Sequence, residues 1–190
     1  ISLSDILALG NEKADIEDLK EFIYQRMKVF LREKELRHDI IDACISIDKE
    51  DDLALSVKKS SALMEFIKTS DGSNLIQGFK RANNILLQAE KNDGVEYSFG
   101  ADLKYAKEDA ELNLFSVLDS EEVKIKASLE REDFVEAMNS MANLRAPIDS
   151  FFETVQINSD VDHIRRNRLN LLSRICKLCL SVADLTKVEG

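Results

Sequence analysis

The chain has 190 residues, 33 % of them charged, with 26 Lys and Arg against 36 Asp and Glu for a formal net charge of −10. That balance excludes a surface that binds nucleic acid indiscriminately, yet screening confines exposed charges to about 8 Å at physiological salt, so a local basic face stays open. One proline, six glycines and abundant Ala, Leu, Lys, Glu and Asp favour helices over sheets, and three cysteines are an odd number for a disulfide framework and suit a reducing compartment.

The predicted elements are all helical. From Ile16 the positions Ile16, Leu19, Ile23, Met27, Phe30 and Leu31 recur at helical spacing, with Asp15 as N-cap and Glu17 and Asp18 in the first turn. A second helix holds Ile40, Ile41, Cys44 and Ile45. A third runs from Leu53 to Ile67 and is stopped by Asp71-Gly72, with Gly72 as a left-handed cap and the first boundary. Ser73 caps the next helix, to about Lys91, and the segment Asn92 to Asp102, with Gly94 and Gly100, reads as a loop. Helices then follow over Tyr105 to Leu118, Glu121 to Arg131, and Phe134 to Val155, the last bent or restarted at Pro147. A long terminal helix ends near Leu185. The opening residues from Ile1 contain neither a basic region nor a long apolar core, and no apolar run approaches the roughly 18 residues of a membrane span. They read as part of a longer protein without a targeting segment, and a soluble cytoplasmic protein without membrane or DNA partners is expected.

Two helix faces carry chemistry. On the Ser73 helix, Gln77, Lys80, Arg81, Asn84 and Gln88 form one acid-free polar stripe, which is also what an ordinary solvated face would look like. On the terminal helix, Leu169, Leu172, Ile175, Cys176, Cys179 and Val182 define an apolar arc opposite a stripe of Arg166, Asn170, Arg174 and Lys177. Arg165 and Arg168 fall inside the apolar arc. A cation there needs a carboxylate partner or an escape to solvent, so Arg168 reads first as a buried ion pair, and for Arg165 ion pairing and RNA contact are balanced. Phe152 shares a side with Phe134, Met141, Ile148 and Val155 and is expected in the core. Phe151 sits at the edge of that arc, where core packing and stacking on a base both stay open.

Three motifs are set aside. Cys176-x-x-Cys179 has zinc spacing but no second pair of ligands, so buried thiols are expected. His38-Asp39 lacks the histidine-rich surroundings of a phosphohydrolase metal cluster. The acids Asp48, Glu50, Asp51 and Asp52 lack the alternation and glycine of a calcium loop and read as a solvated turn. No glycine-rich phosphate loop or nucleophile elbow occurs.

The string from Leu144 through Arg145-Ala146-Pro147-Ile148-Asp149-Ser150-Phe151-Phe152-Glu153, then Arg165-Arg166-Asn167-Arg168-Leu169-Asn170-Leu171-Leu172 and Val182-Ala183-Asp184-Leu185, resembles the carboxyl end of the bacterial glycyl-tRNA synthetase β-subunit family. Upstream, Arg32 to Ala43 and Lys80-Arg81-Ala82-Asn83-Asn84-Ile85-Leu86 are similar to that family as well, so the likeness covers almost the whole chain. Cys179, where the family usually has a bulky aromatic, departs from it and implies a repacked core.

The resemblance implies an all-α chain: residues 1–72 as the helical end of the β-subunit body, and 73–190 as a helical bundle of the DALR anticodon-binding type. It implies tRNA(Gly) and a catalytic α subunit as partners in a hetero-oligomer. ATP and Mg²⁺ would be used by the complete enzyme, with no cofactor and no catalytic residue in this region. Lys80, Arg81, Asn84, Phe151, Arg165, Arg166, Arg168 and Arg174 are the candidate RNA contacts. Glycine anticodons carry cytosine at the second and third positions, so an acceptor such as Glu153 beside a donor such as Arg81 or Asn84 would suit the base edge. The alternative is a non-catalytic protein-binding helical module, its apolar arcs serving as docking grooves.

Overall fold

The computed structural model describes residues 16–45 and 52–189, and among them every regular element is helical. In chain order they are α1 (Ile16–Glu33), α2 (His38–Ile45), α3 (Leu53–Ile67), α4 (Ser70–Asp93), a 3₁₀ turn (Leu103–Tyr105), α5 (Asp109–Glu130), α6 (Phe134–Ala142), α7 (Arg145–Thr154) and α8 (Asp162–Val182). None of these helices is long and apolar enough to cross a membrane. The expected N-cap Asp15 and the acids Asp48, Glu50 and Asp51 lie outside the described residues. Asp52 caps α3, its carboxylate accepting from the Ala54 and Leu55 amides at 2.9 and 3.2 Å.

The turn between α3 and α4 differs from the sequence expectation. Thr69 is the N-cap of α4, its hydroxyl accepting from the Gly72 amide at 3.0 Å, so Asp71 and Gly72 lie in the first turn of α4 and Ser73 is not a cap. Gly72 is required for another reason: a Cβ there would sit 2.0 Å from the Phe66 carbonyl oxygen, where α3 ends against α4. Gly72→Ala is therefore expected to cost about 2 to 3 kcal/mol, measured by denaturant unfolding, because backbone must move to admit one methyl. The glycine that does end a helix is Gly94, at φ 65°, which closes α4 with its amide bonded to the Glu90 carbonyl at 2.9 Å.

Two further boundaries move. The helices expected over Tyr105 to Leu118 and Glu121 to Arg131 are one, α5, opened by a capping box between Glu108 and Glu111. Leu114, Phe115, Leu118, Glu121 and Ile125 keep one buried face through the expected break. Conversely, the chain leaves helix at Asn143-Leu144, and Pro147 sits in the first turn of α7, where a missing amide hydrogen costs nothing.

α4 runs through the assembly, packing on α3, α6, α7 and α8, while α5 lies against α6, α7 and α8. One core joins all of these, with Phe79, Leu114, Leu118, Met141, Phe151, Leu171, Leu172 and Ile175 among its buried side chains. It reaches back to Ile40, Cys44, Leu63 and Phe66, so burial is continuous across residue 72. A smaller cluster of Met27, Leu31 and Ile41 attaches α1.

After α8 the tail straps the ends of the fold together. The Asp184 amide donates to the Ala43 carbonyl at 2.8 Å, the Glu189 amide to Asp39 at 2.6 Å, and Arg37 to the Glu189 carbonyl at 2.7 Å. Burial works against the Asp39 carboxylate, but Arg37 and the Glu189 amide overcome it and hold its pKa below the ordinary value. His38-Asp39 is thus part of a structural clamp. Cys176 and Cys179 are buried free thiols, Cys179 filling core space with no exposure; burial pushes Cys176 up to about 12 and Cys179 upward too, which suppresses thiolate chemistry.

Candidate nucleic-acid interface

The acid-free stripe on α4 faces outward: Gln77, Arg81, Asn84 and Gln88 are exposed and Lys80 is half-buried. Beside it α7 contributes Arg145, Asp149, Phe152 and Glu153, and the two helices enclose an open groove whose α4 wall is Asn74, Gln77, Gly78 and Arg81. Gly78 sets the spacing, since a Cβ there would lie 3.0 Å from an Ile148 methyl. The Arg81 guanidinium carbon stands 4.4 Å from the centroid of the Phe152 ring. A flat cation over a flat ring makes a platform on which an unpaired base can stack. Arg81 has no ion pair to a carboxylate among the described residues. Arg145 Nε lies 2.8 Å from Asp149 Oδ2 but makes no aligned hydrogen bond, so this pair is held by charge more than by geometry.

Phe151 takes the core place that the sequence left open to it, and Phe152, expected in the core, packs against it only in part. Phe151 has no exposed surface and belongs to the core, so it is no stacking platform; Phe152 is half-buried on the groove side. The cause is the break at Asn143-Leu144. Counting a wheel through from Phe134 carries the wrong phase into α7, whereas counting from Arg145 puts Phe152 with Arg145, Asp149 and Glu153 and turns Phe151 toward Leu144, Pro147 and Ile148. That restarted count is the signal that could have found Arg145, Asp149 and Phe152, which the sequence reading did not place here.

The α8 arginines behave differently from the stripe on α4. Arg168 is buried and makes a two-pronged contact with Glu111, Nε to Oε1 at 3.0 Å and Nη2 to Oε2 at 2.9 Å, with Nη1 donating to the Gln156 carbonyl at 2.7 Å. It cannot reach a phosphate without leaving a buried carboxylate behind. Glu111 also accepts from the Lys107 and Glu108 amides at 3.0 and 3.1 Å. Burial pushes its pKa up, but Arg168 and these amides outweigh that and keep it below the ordinary 4.5. Arg174 is clamped by Glu122 at 2.7 and 2.8 Å and Asp119 at 2.6 Å, so its charge is spent within the fold.

Arg165 donates to Asp93 at 2.8 Å, to Tyr97 at 3.2 Å and to Asn158 at 3.2 Å. The Tyr97 hydroxyl first, and Arg165 second, hold the Asp93 pKa below its ordinary value. Lys80 donates to the Val188 carbonyl at 2.5 Å and so secures the tail. Of the eight candidates, Arg81, Asn84 and Arg166 stay exposed with no carboxylate in ion-pair contact among the described residues. Of the basic stripe expected on α8, Arg174 is neutralised while Arg166 and Lys177 stay exposed, and the two arginines of the apolar arc, Arg165 and Arg168, are both ion-paired.

The family model described as "DALR anticodon binding domain" matches residues 75–189, more than half of the chain. The chain belongs to the DALR anticodon-binding domain family. The match runs from Leu75 in α4 to the tail and includes every lining residue of the groove except Asn74. The chain is 56 % identical over 190 residues to the glycine–tRNA ligase beta subunit of Ruegeria sp. (strain TM1040), covering all of this chain and 28 % of that protein. It is 57 % identical over 189 residues to the corresponding subunit of Dinoroseobacter shibae, covering 26 % of it, and 41 % identical over 174 residues to that of Rhodospirillum centenum, covering 24 %. The chain thus spans about a quarter of the length of the curated relatives it matches.

Proposed function

We propose that this chain is the anticodon-reading region of a glycine–tRNA ligase β subunit, and that the DALR domain holds the anticodon loop of tRNA(Gly) at the α4–α7 groove. The observation that carries the reading is the Arg81–Phe152 stack, open to solvent beside Glu153, in a domain of an anticodon-binding family. An unpaired base stacks on this platform. Glu153 accepts from a cytosine amino group, while Arg81 and Asn84 donate to its acceptors. Arg166, exposed at the start of α8, serves a phosphate. Residues 73–190 form the reading unit and 1–72 the adjoining end of the body. Glycylation with ATP and Mg²⁺ belongs to the complete enzyme and its α subunit; the part played here is to favour the right tRNA and align it.

In the complete two-subunit enzyme, Arg81→Ala is expected to weaken tRNA(Gly) binding by about 1 to 3 kcal/mol. Arg166→Gln is expected to reduce the slope of log affinity against log salt by about 0.7, the value for one single-strand phosphate. Equilibrium titrations over a range of salt concentrations check both. Equal affinity for tRNAs with and without the glycine anticodon would remove the base-specific part of the proposal.

A further inference from the structure

We infer that the outer face of α1 is an intramolecular docking surface, occupied by the part of a longer polypeptide that lies outside this chain. The inference rests on the reading of the chain as a region of the β subunit. α1 turns Met27 and Leu31 into the small cluster with Ile41, and packs chiefly on the eight-residue α2. On its other side Phe22, Val29 and Phe30 are 55 %, 49 % and 50 % exposed. They lie at i, i+7 and i+8 and so form one stripe along the helix. The stripe continues into a shallow apolar hollow between α1 and α3, lined by Ile23, Met27, Phe30, Leu53 and Val57. Isolated exposed apolar side chains are ordinary, but a contiguous row with an adjoining hollow marks a contact surface.

Size decides the occupant. Three half-exposed side chains offer on the order of 300 Å² of apolar area, since a whole aromatic side chain buries about 150 to 250 Å². A stable contact with a second copy needs about 800 Å² from each partner. A segment of the same polypeptide is already at high effective concentration and needs far less area. The relatives supply such a segment, being roughly four times as long as this chain. Its chemistry follows from the rim: the Arg26 guanidinium lies 5.3 Å from the Phe22 ring and the Lys34 ammonium 5.6 Å from the Phe30 ring. Exposed Asp18 and Glu33 lie on the same face, so the matching surface is apolar with borders of both charges.

The test places a photo-crosslinking residue at Val29 in the full-length subunit, assembled with its α partner. Crosslinks to residues of the same polypeptide upstream of this region are expected. Crosslinks to the α subunit, to a second β subunit or to tRNA, or no crosslink at all, would overturn the inference. As a second measurement, the Phe22→Glu, Phe30→Glu double variant is expected to lower glycylation kcat/KM by about tenfold to a hundredfold through misplacement of the domain. Affinity for an isolated anticodon stem-loop should be unchanged, and unchanged glycylation would contradict the docking role. Failure of anticodon reading would show in the stem-loop titration, independently of the crosslink map.

Discussion

Arg168→Met is expected to destabilise the protein by about 3 to 5 kcal/mol, because it leaves the Glu111 carboxylate buried without its cation. Glu111 has no exposed surface, and Arg168 is its only cationic contact among the described residues. The companion change Glu111→Gln removes the stranded charge yet keeps an acceptor for the Lys107 and Glu108 amides, so the double variant should recover much of the loss. The pH dependence has a definite sign. In the wild type the Glu111 pKa is depressed, so its contribution is fully present above the ordinary carboxylate pKa of 4.5 and is lost as pH falls through the lowered value. In Arg168→Met the same carboxyl is buried alone and its pKa is raised, so the deficit relative to wild type should shrink as the solution is acidified. Denaturant unfolding at several pH values reads all of this. A deficit that is small and independent of pH would mean that Arg168 is not the structural group described here.

Phe151→Ala and Phe152→Ala are expected to separate stability from recognition. Phe151 is wholly enclosed, and its truncation should cost about 3 to 5 kcal/mol of folding stability. Phe152 is only half-buried, with Arg81 over its ring and Phe151 against its edge at 5.8 Å. Its truncation should cost about 1 kcal/mol of stability from the cation–π contact. In return, Phe152→Ala should weaken tRNA(Gly) binding by about 1 to 3 kcal/mol, the worth of one stacked base. The opposite pattern, a stability loss for Phe152 and a binding loss for Phe151 at normal stability, would reverse the assignment.

These two cases also show what the sequence could and could not reveal. Inside an uninterrupted helix the periodicity was sufficient: Leu169, Leu172, Ile175, Cys176, Cys179 and Val182 are all buried, and the α4 stripe faces solvent. Where the helix broke, the phase was lost. Pro147 signals a break near the right place, but the chain leaves helix several residues earlier, and that offset centres Phe151 in the core and moves Phe152 to its edge beside the groove. Asp119-Ser120-Glu121-Glu122 resembles a helix boundary, so α5 reads as two helices; Asp119 and Glu122 are instead the carboxylates that clamp Arg174 across the bundle.

Long-range pairing is the part that local patterns do not carry. Nothing near Arg168 in sequence names Glu111, 57 residues away, or ties Lys80 to the carbonyl of Val188, 108 residues away. The apolar arc does flag Arg165 and Arg168 as cations in need of partners, and both have them. The same reasoning applied to Arg174 fails, because that residue lies on the polar face, where a free cation and a paired one look alike. The groove was half legible: Gln77, Arg81 and Glu153 are named from the sequence, while Arg145 and Phe152 require the true phase of α7.

The most direct measurement is the ratio of affinities of the complete enzyme for tRNA(Gly) and for the same tRNA with its second anticodon base changed from cytosine. It would be compared for wild type, the Arg81→Ala, Phe152→Ala double variant and Arg174→Gln. Wild type and Arg174→Gln should discriminate equally, and the double variant should bind both tRNAs with nearly the same weak affinity. A double variant that still discriminates as wild type does, or a loss confined to Arg174→Gln, would contradict recognition at the α4–α7 groove.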